Sequence, residues 1–152
     1  MSHSVDTATQ SELFAQFRAY AASVRRDRRL HGSDIQTLTL TSQLASQDSV
    51  TLDARIEQGV VTELGYRIRS CSLAQATTGI LAARTPGITA PQLLAARQAL
   101  QSVLQGASVK ESELIWPELL ALQGAAGMPD RHEVALLPFD ALQHLLTAEE
   151  EQ

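Results

Sequence analysis

Tyr66-Arg67-Ile68-Arg69-Ser70-Cys71-Ser72-Leu73-Ala74-Gln75-Ala76-Thr77 is the stretch in which the chain changes period. Up to Arg69 the apolar residues alternate as in a half-buried strand, and from Ser72 they recur as on a helix. The only cysteine falls at the junction, where a helix N-terminus offers unpaired N–H groups and the positive end of a dipole. Both favour thiolate over thiol, and Arg67 and Arg69 add positive charge on the approach. Against this stands the ordinary role of a free cysteine as a small buried hydrophobe, whose thiol an apolar pocket would keep neutral.

Upstream, Val60 to Arg69 reads as a strand, preceded by the turn Glu57-Gln58-Gly59. Val50, Leu52, Ala54 and Ile56 alternate with Thr51, Asp53, Arg55 and Glu57. Leu38, Leu40 and Leu44 do the same with Thr37, Thr39 and Thr41, so three strands form an antiparallel meander. Before them Phe14, Phe17, Ala21 and Val24 recur at helical spacing, with Ser11 as the cap and Glu12 in the first turn. Downstream, Leu73 to Leu81 forms a helix stopped by Thr85-Pro86-Gly87, and Pro91 opens another that ends at Gly106. A short helix around Trp116 to Leu122 runs into the breakers between Gly124 and Pro129. The last helix is predicted to start near Val134, which puts Pro138 in its first turn, where a missing N–H is tolerated. The fold class is α+β: an N-terminal helix, a three-stranded antiparallel sheet, then several helices on one face.

A chain of 152 residues with 44% hydrophobic residues suffices for one core, here residues 11–148, with flexible ends at 1–10 and 149–152. One cysteine excludes an internal disulfide. The net charge of -5 argues against nucleic acid as a partner, since counterion displacement needs a basic face. Arg25-Arg26-Asp27-Arg28-Arg29 is the local exception, and the ordinary role of such a run is a solvated helix end. No signal peptide or long apolar span is evident, which implies no membrane partner and a cytoplasmic protein.

Two blocks resemble the IscU/SufU/NifU-type scaffold proteins of iron–sulfur cluster assembly. Gln58-Gly59-Val60-Val61-Thr62-Glu63-Leu64-Gly65-Tyr66-Arg67-Ile68-Arg69-Ser70-Cys71 is similar to the family's glycine turn, strand and Gly-Cys, and Ala76-Thr77 to its Ala-Ser. Trp116-Pro117-Glu118-Leu119-Leu120, Met128-Pro129-Asp130-Arg131, Leu137-Pro138 and Ala141-Leu142 resemble the segment around the family's third cysteine, with the long spacing of the SufU branch.

The resemblance implies a metal site, but one with ligands missing. Ser46-Gln47-Asp48 stands where the family has Cys-Gly-Asp, so Asp48 and Cys71 are kept, Ser46 replaces the first cysteine, and Val134 occupies the position of the third. A closed site needs four deprotonated donors, so zinc or an iron–sulfur cluster would bind weakly or not at all. His132 is the candidate substitute; the alternative for it is an ordinary histidine at a helix end. The implied function is that of a scaffold or sulfur acceptor rather than a metabolic enzyme, with Cys71 carrying sulfur or metal. Its partners would be a cysteine desulfurase, other iron–sulfur assembly proteins or a second copy of the chain. The alternative is a metal-free interaction or regulatory module that has kept the fold and lost cluster chemistry. No Gly-x-Ser-x-Gly elbow or phosphate-cradling loop supports a hydrolase or transferase.

Overall fold

The computed structural model describes residues 9–45 and 47–150. Ser46 and most of the ends expected to be flexible lie outside the described residues. Helix α1 (Gln10–Ser23) is capped by Thr9 and not by Ser11: the Glu12 N–H donates to the Thr9 hydroxyl at 3.1 Å, and the Thr9 N–H donates to the Glu12 carboxylate at 2.7 Å. This reciprocal pair needs a Thr and a Glu three positions apart, a spacing that Ser11 and Glu12 lack. Leu13, Ala21 and Val24 face the core, while Phe14, expected among them, is 60% exposed.

Strands β1 (Ile35–Thr41), β2 (Ser49–Glu57) and β3 (Val60–Arg69) form the expected antiparallel meander. Leu44, placed with the first strand by its apolarity, lies beyond the strand in the exposed β1–β2 loop. A fourth strand, β4 (Ile88–Thr89), extends the sheet in the order β1-β2-β3-β4. Gly87 takes φ +126°, which only glycine adopts readily, and its N–H donates to the Val61 carbonyl at 2.9 Å. That turn lays Ile88 and Thr89 against Val61 and Val60, making a strand too short to leave an alternating pattern.

Helices α2 (Ser72–Ala83) and α4 (His132–Glu150) pack on the sheet, with α3 (Ala90–Leu104) and a 3-10 stretch over Pro117–Gly127 completing the core around Leu52, Leu64, Ile80, Leu119, Phe139 and Leu142. The 3-10 stretch runs through Gly124 rather than breaking there. Helix α4 begins at His132, so Pro138 sits inside it. Proline costs the bond to the Val134 carbonyl, but Val134 to Phe139 are all buried, and their packing offsets the loss.

Gly79 sets the distance between α1 and α2. A Cβ there would come within 2.3 Å of the Tyr20 carbonyl and 2.9 Å of the Ser23 hydroxyl. Gly79→Ala gains about 1 kcal/mol of helix propensity, yet the clash with backbone forces the helices apart. A net destabilisation of about 1–3 kcal/mol is expected from overpacking, read as a lower urea midpoint.

Candidate functional site

Cys71 is the N-cap of α2, with extended backbone at φ -80° and ψ 177°, and is half-buried. Burial raises the thiol's pKa, but three influences together outweigh it and leave the group below the ordinary thiol range. These are the Arg131 guanidinium acting as donor, the N–H groups of Leu73 and Ala74, and the positive charge of Arg131. The cation that matters is therefore Arg131, at the end of the 3-10 turn Pro129–Arg131. Arg67 and Arg69 point elsewhere. Arg69 makes two 2.8 Å bonds to the Asp27 carboxylate and Arg67 lies 3.9 Å from it, because their strand positions face away from the helices.

Arg131 also reaches Asp48, its guanidinium nitrogen 3.0 Å from the carboxylate. Asp48 is buried at the end of the β1–β2 loop, which closes through Ser42 N–H to the Asp48 carbonyl and Asp48 N–H to the Ala45 carbonyl, both 2.9 Å. The first turn of α4 holds the other limb of that loop: Glu133 accepts from the Ser42 hydroxyl and the Gln43 N–H, each at 2.6 Å. Burial raises the Glu133 pKa, but these donors, with the Leu44 N–H and the charge of Arg131, bring it below the usual carboxylate range. Asp48, Cys71 and Arg131 thus converge from three separate parts of the chain.

Of the remaining candidates, Ser46 lies outside the described residues. His132 turns its Nε2 to the Ala125 carbonyl at 3.0 Å, filling one ring nitrogen with a structural bond. Val134 is 1% exposed and belongs to the core. Among the described residues no group of three His, Cys, Asp or Glu side chains could hold a metal ion. Among the described residues the donor set does not fit zinc or a cluster, since Asp48 and Cys71 share a guanidinium and no third His, Cys, Asp or Glu accompanies them. Arg131 escaped the ligand-by-ligand reading because arginine is not a ligand. One signal was present: it is the only Lys or Arg after Lys110.

Arg131→Met keeps the stem and removes the charge, so the Cys71 pKa is expected to rise. The rate of alkylation by iodoacetamide, followed against pH, then has its midpoint at higher pH than in the native chain. An unmoved midpoint would assign the lowered pKa to the helix N-terminus alone.

The helix, the antiparallel meander and the helices that follow give the chain the fold of solved NifU-like and SufU scaffold structures. It is similar over 95% of its length to 99% of a NifU-like protein (N-terminal) from Brucella abortus, with 24% identity and a TM-score of 0.73. A second similar structure, provisionally described as an iron–sulfur cluster assembly scaffold protein for the SUF system, comes from Fervidobacterium islandicum. It has 17% identity and a TM-score of 0.68, over 86% of this chain and 93% of that one. No protein-family model and no curated protein matches the sequence. Among the described residues no helix is long and apolar enough to cross a membrane.

Proposed function

We infer that the chain serves iron–sulfur cluster assembly as a scaffold-fold sulfur acceptor, carrying sulfane sulfur on Cys71 and receiving it from a cysteine desulfurase. The observation that carries this reading is the half-buried Cys71 at the N-terminus of α2 facing Arg131, which favours a thiolate. In the transfer the Cys71 thiolate attacks the terminal sulfur of a protein persulfide. A new S–S bond forms as the donor's S–S bond breaks, and the donor cysteine leaves as thiolate with no net oxidation. Arg131, held by Asp48, lies where it stabilises both the attacking thiolate and the persulfide anion it becomes. No step needs a metal, in keeping with a donor set that lacks two cysteines.

The test is incubation of anaerobically purified protein with a cysteine desulfurase and cysteine, followed by intact mass measurement. A gain of one sulfur on Cys71 is expected. No gain overturns the acceptor role and leaves the second reading, a metal-free interaction module, which Val134 at the third-cysteine position favours.

A further inference from the structure

Most cations of this acidic chain have a carboxylate partner. Arg29 pairs with Asp53, Arg55 with Asp34 and Glu63, and Arg67 and Arg69 with Asp27. Arg84 pairs with Glu118, Arg97 with Asp140 and Arg131 with Asp48. Among the described residues the cations outside these pairs are Arg18, Arg25, Arg26, Arg28 and Lys110. All but Lys110 fall on the second half of α1 and the segment that follows it, so the uncompensated positive charge is gathered in one stretch of chain, with Arg18 and Arg25 on one groove.

That segment adjoins the start of α2. Asp27, the one acid within the arginine run, is claimed by Arg69, which fastens the run beside the end of β3 just before Cys71. The Arg28 backbone pairs with Tyr66 of the same strand. Between α1 and the start of α2 lies an open groove of about 690 Å³, lined among others by Phe17, Arg18, Arg25, Ser72 and Gln75. Phe14 and Phe17 form the ridge between it and an apolar hollow of about 190 Å³ floored by Leu13, Leu73, Ala125 and Met128. Phe14 and Met128 are both large apolar side chains left exposed.

We propose that this face docks an acidic segment of a partner protein, its carboxylates over Arg18, Arg25, Arg26 and Arg28 and one apolar side chain anchored in the hollow beside Phe14. Charge complementarity names the acid, and the hollow names the anchor. A nucleic acid backbone has no use for an apolar hollow and would meet a chain of net charge -5. A flat bilayer does not enter a groove between two helices. The inference rests on the sulfur-transfer reading for what the partner delivers, since a segment seated here lies against the first turn of the helix that Cys71 caps, but not for the chemistry of docking.

The test compares the native chain with Arg25→Glu/Arg26→Glu and with Phe14→Ser, all exposed positions. Binding of a fluorescein-labelled amphipathic peptide of Glu and Leu is measured by anisotropy, beside a Lys/Leu peptide, a single-stranded oligodeoxynucleotide and phosphatidylglycerol vesicles. The Glu/Leu peptide is expected to bind the native chain, to lose about tenfold in affinity on charge reversal, and to weaken with salt and with Phe14→Ser. Failure of that peptide to bind, equal binding by the charge-reversed variant, or preference for the oligonucleotide or the vesicles overturns the proposal. In the desulfurase assay charge reversal should raise the KM for this chain and spare kcat, and an unchanged KM in a chain that does load also overturns it. A native chain that binds the peptide but is never loaded overturns the sulfur-transfer reading and supports the docking surface on its own.

Discussion

Cys71→Ser is expected to abolish sulfur loading while the protein unfolds at the same urea concentration as the native chain. The chemical half follows from the nucleophile: only a thiolate attacks the persulfide, and the chain has no second cysteine to substitute. The structural half follows from the position. Cys71 is an N-cap whose side chain makes no capping bond to the helix, and serine is among the best residues for that place. The hydroxyl can take over the N–H groups of Leu73 and Ala74 that now face the sulfur. Stability should therefore hold or rise slightly, and loss of loading cannot be put down to unfolding. Loading that persists on another residue of Cys71→Ser would sink the acceptor role for this thiol.

The second large effect concerns the opposite side of the sheet. Asp53 is 0% exposed and accepts from Arg29 at 2.8 and 3.1 Å, from the Leu30 N–H at 2.9 Å and from the Thr37 hydroxyl at 2.6 Å. Gly65 across the ladder makes room for this cluster, since a Cβ there would come within 3.0 Å of the carboxylate and 2.6 Å of the Arg28 carbonyl. Asp53→Asn keeps the shape but turns an NH2 group toward donors and leaves the arginine uncompensated. Arg29 reaches solvent, so the cost is that of the buried donors left without an acceptor, about 1–3 kcal/mol, which lowers a urea midpoint by roughly 1 M at ordinary slopes. Burial raises the Asp53 pKa, but Arg29, Thr37 and Leu30 together bring it below the usual carboxylate value. A folded-state pKa below the unfolded one stabilises the fold fully above the unfolded value, about 3.9, and that contribution is lost as pH falls through the folded one. The native chain and Asp53→Asn should thus differ most near neutral pH and converge in acid. A constant difference down to the lowest pH at which the fold survives would show that shape, not charge, matters at this position.

Patterns with a repeat were legible in the sequence. The alternation in β2 and β3 placed both strands, and the change of period at Ser70 placed Cys71 at a helix start, because burying one face writes itself into every second or every third-to-fourth residue. Features that depend on a few contacts between distant segments were not. Strand β4 leaves no period in two residues, and Pro138 is tolerated in α4 only because its neighbours are buried. Thr9 was the exception, since its partner Glu12 was in plain view at the capping-box spacing. At the site, Cys71 was singled out by the change of period and Asp48 by the resemblance of Ser46-Gln47-Asp48 to Cys-Gly-Asp. Arg131 was not, because it meets Asp48 from 83 positions away, in a 3-10 turn that no local pattern announces.

That separation makes Cys71 a reporter of the folded state. Its lowered pKa depends on the first turn of α2 and on Arg131, which stands beside it only when two distant segments of the chain have met. In the unfolded chain the thiol returns to about 8.5 and is protonated near neutral pH. Cysteine labelling ordinarily marks the molecules that open, because unfolding exposes a buried thiol. Below that pH the folded molecules hold the larger thiolate fraction, so a reagent selective for thiolates favours them over the unfolded ones to the extent that it reaches the half-buried sulfur.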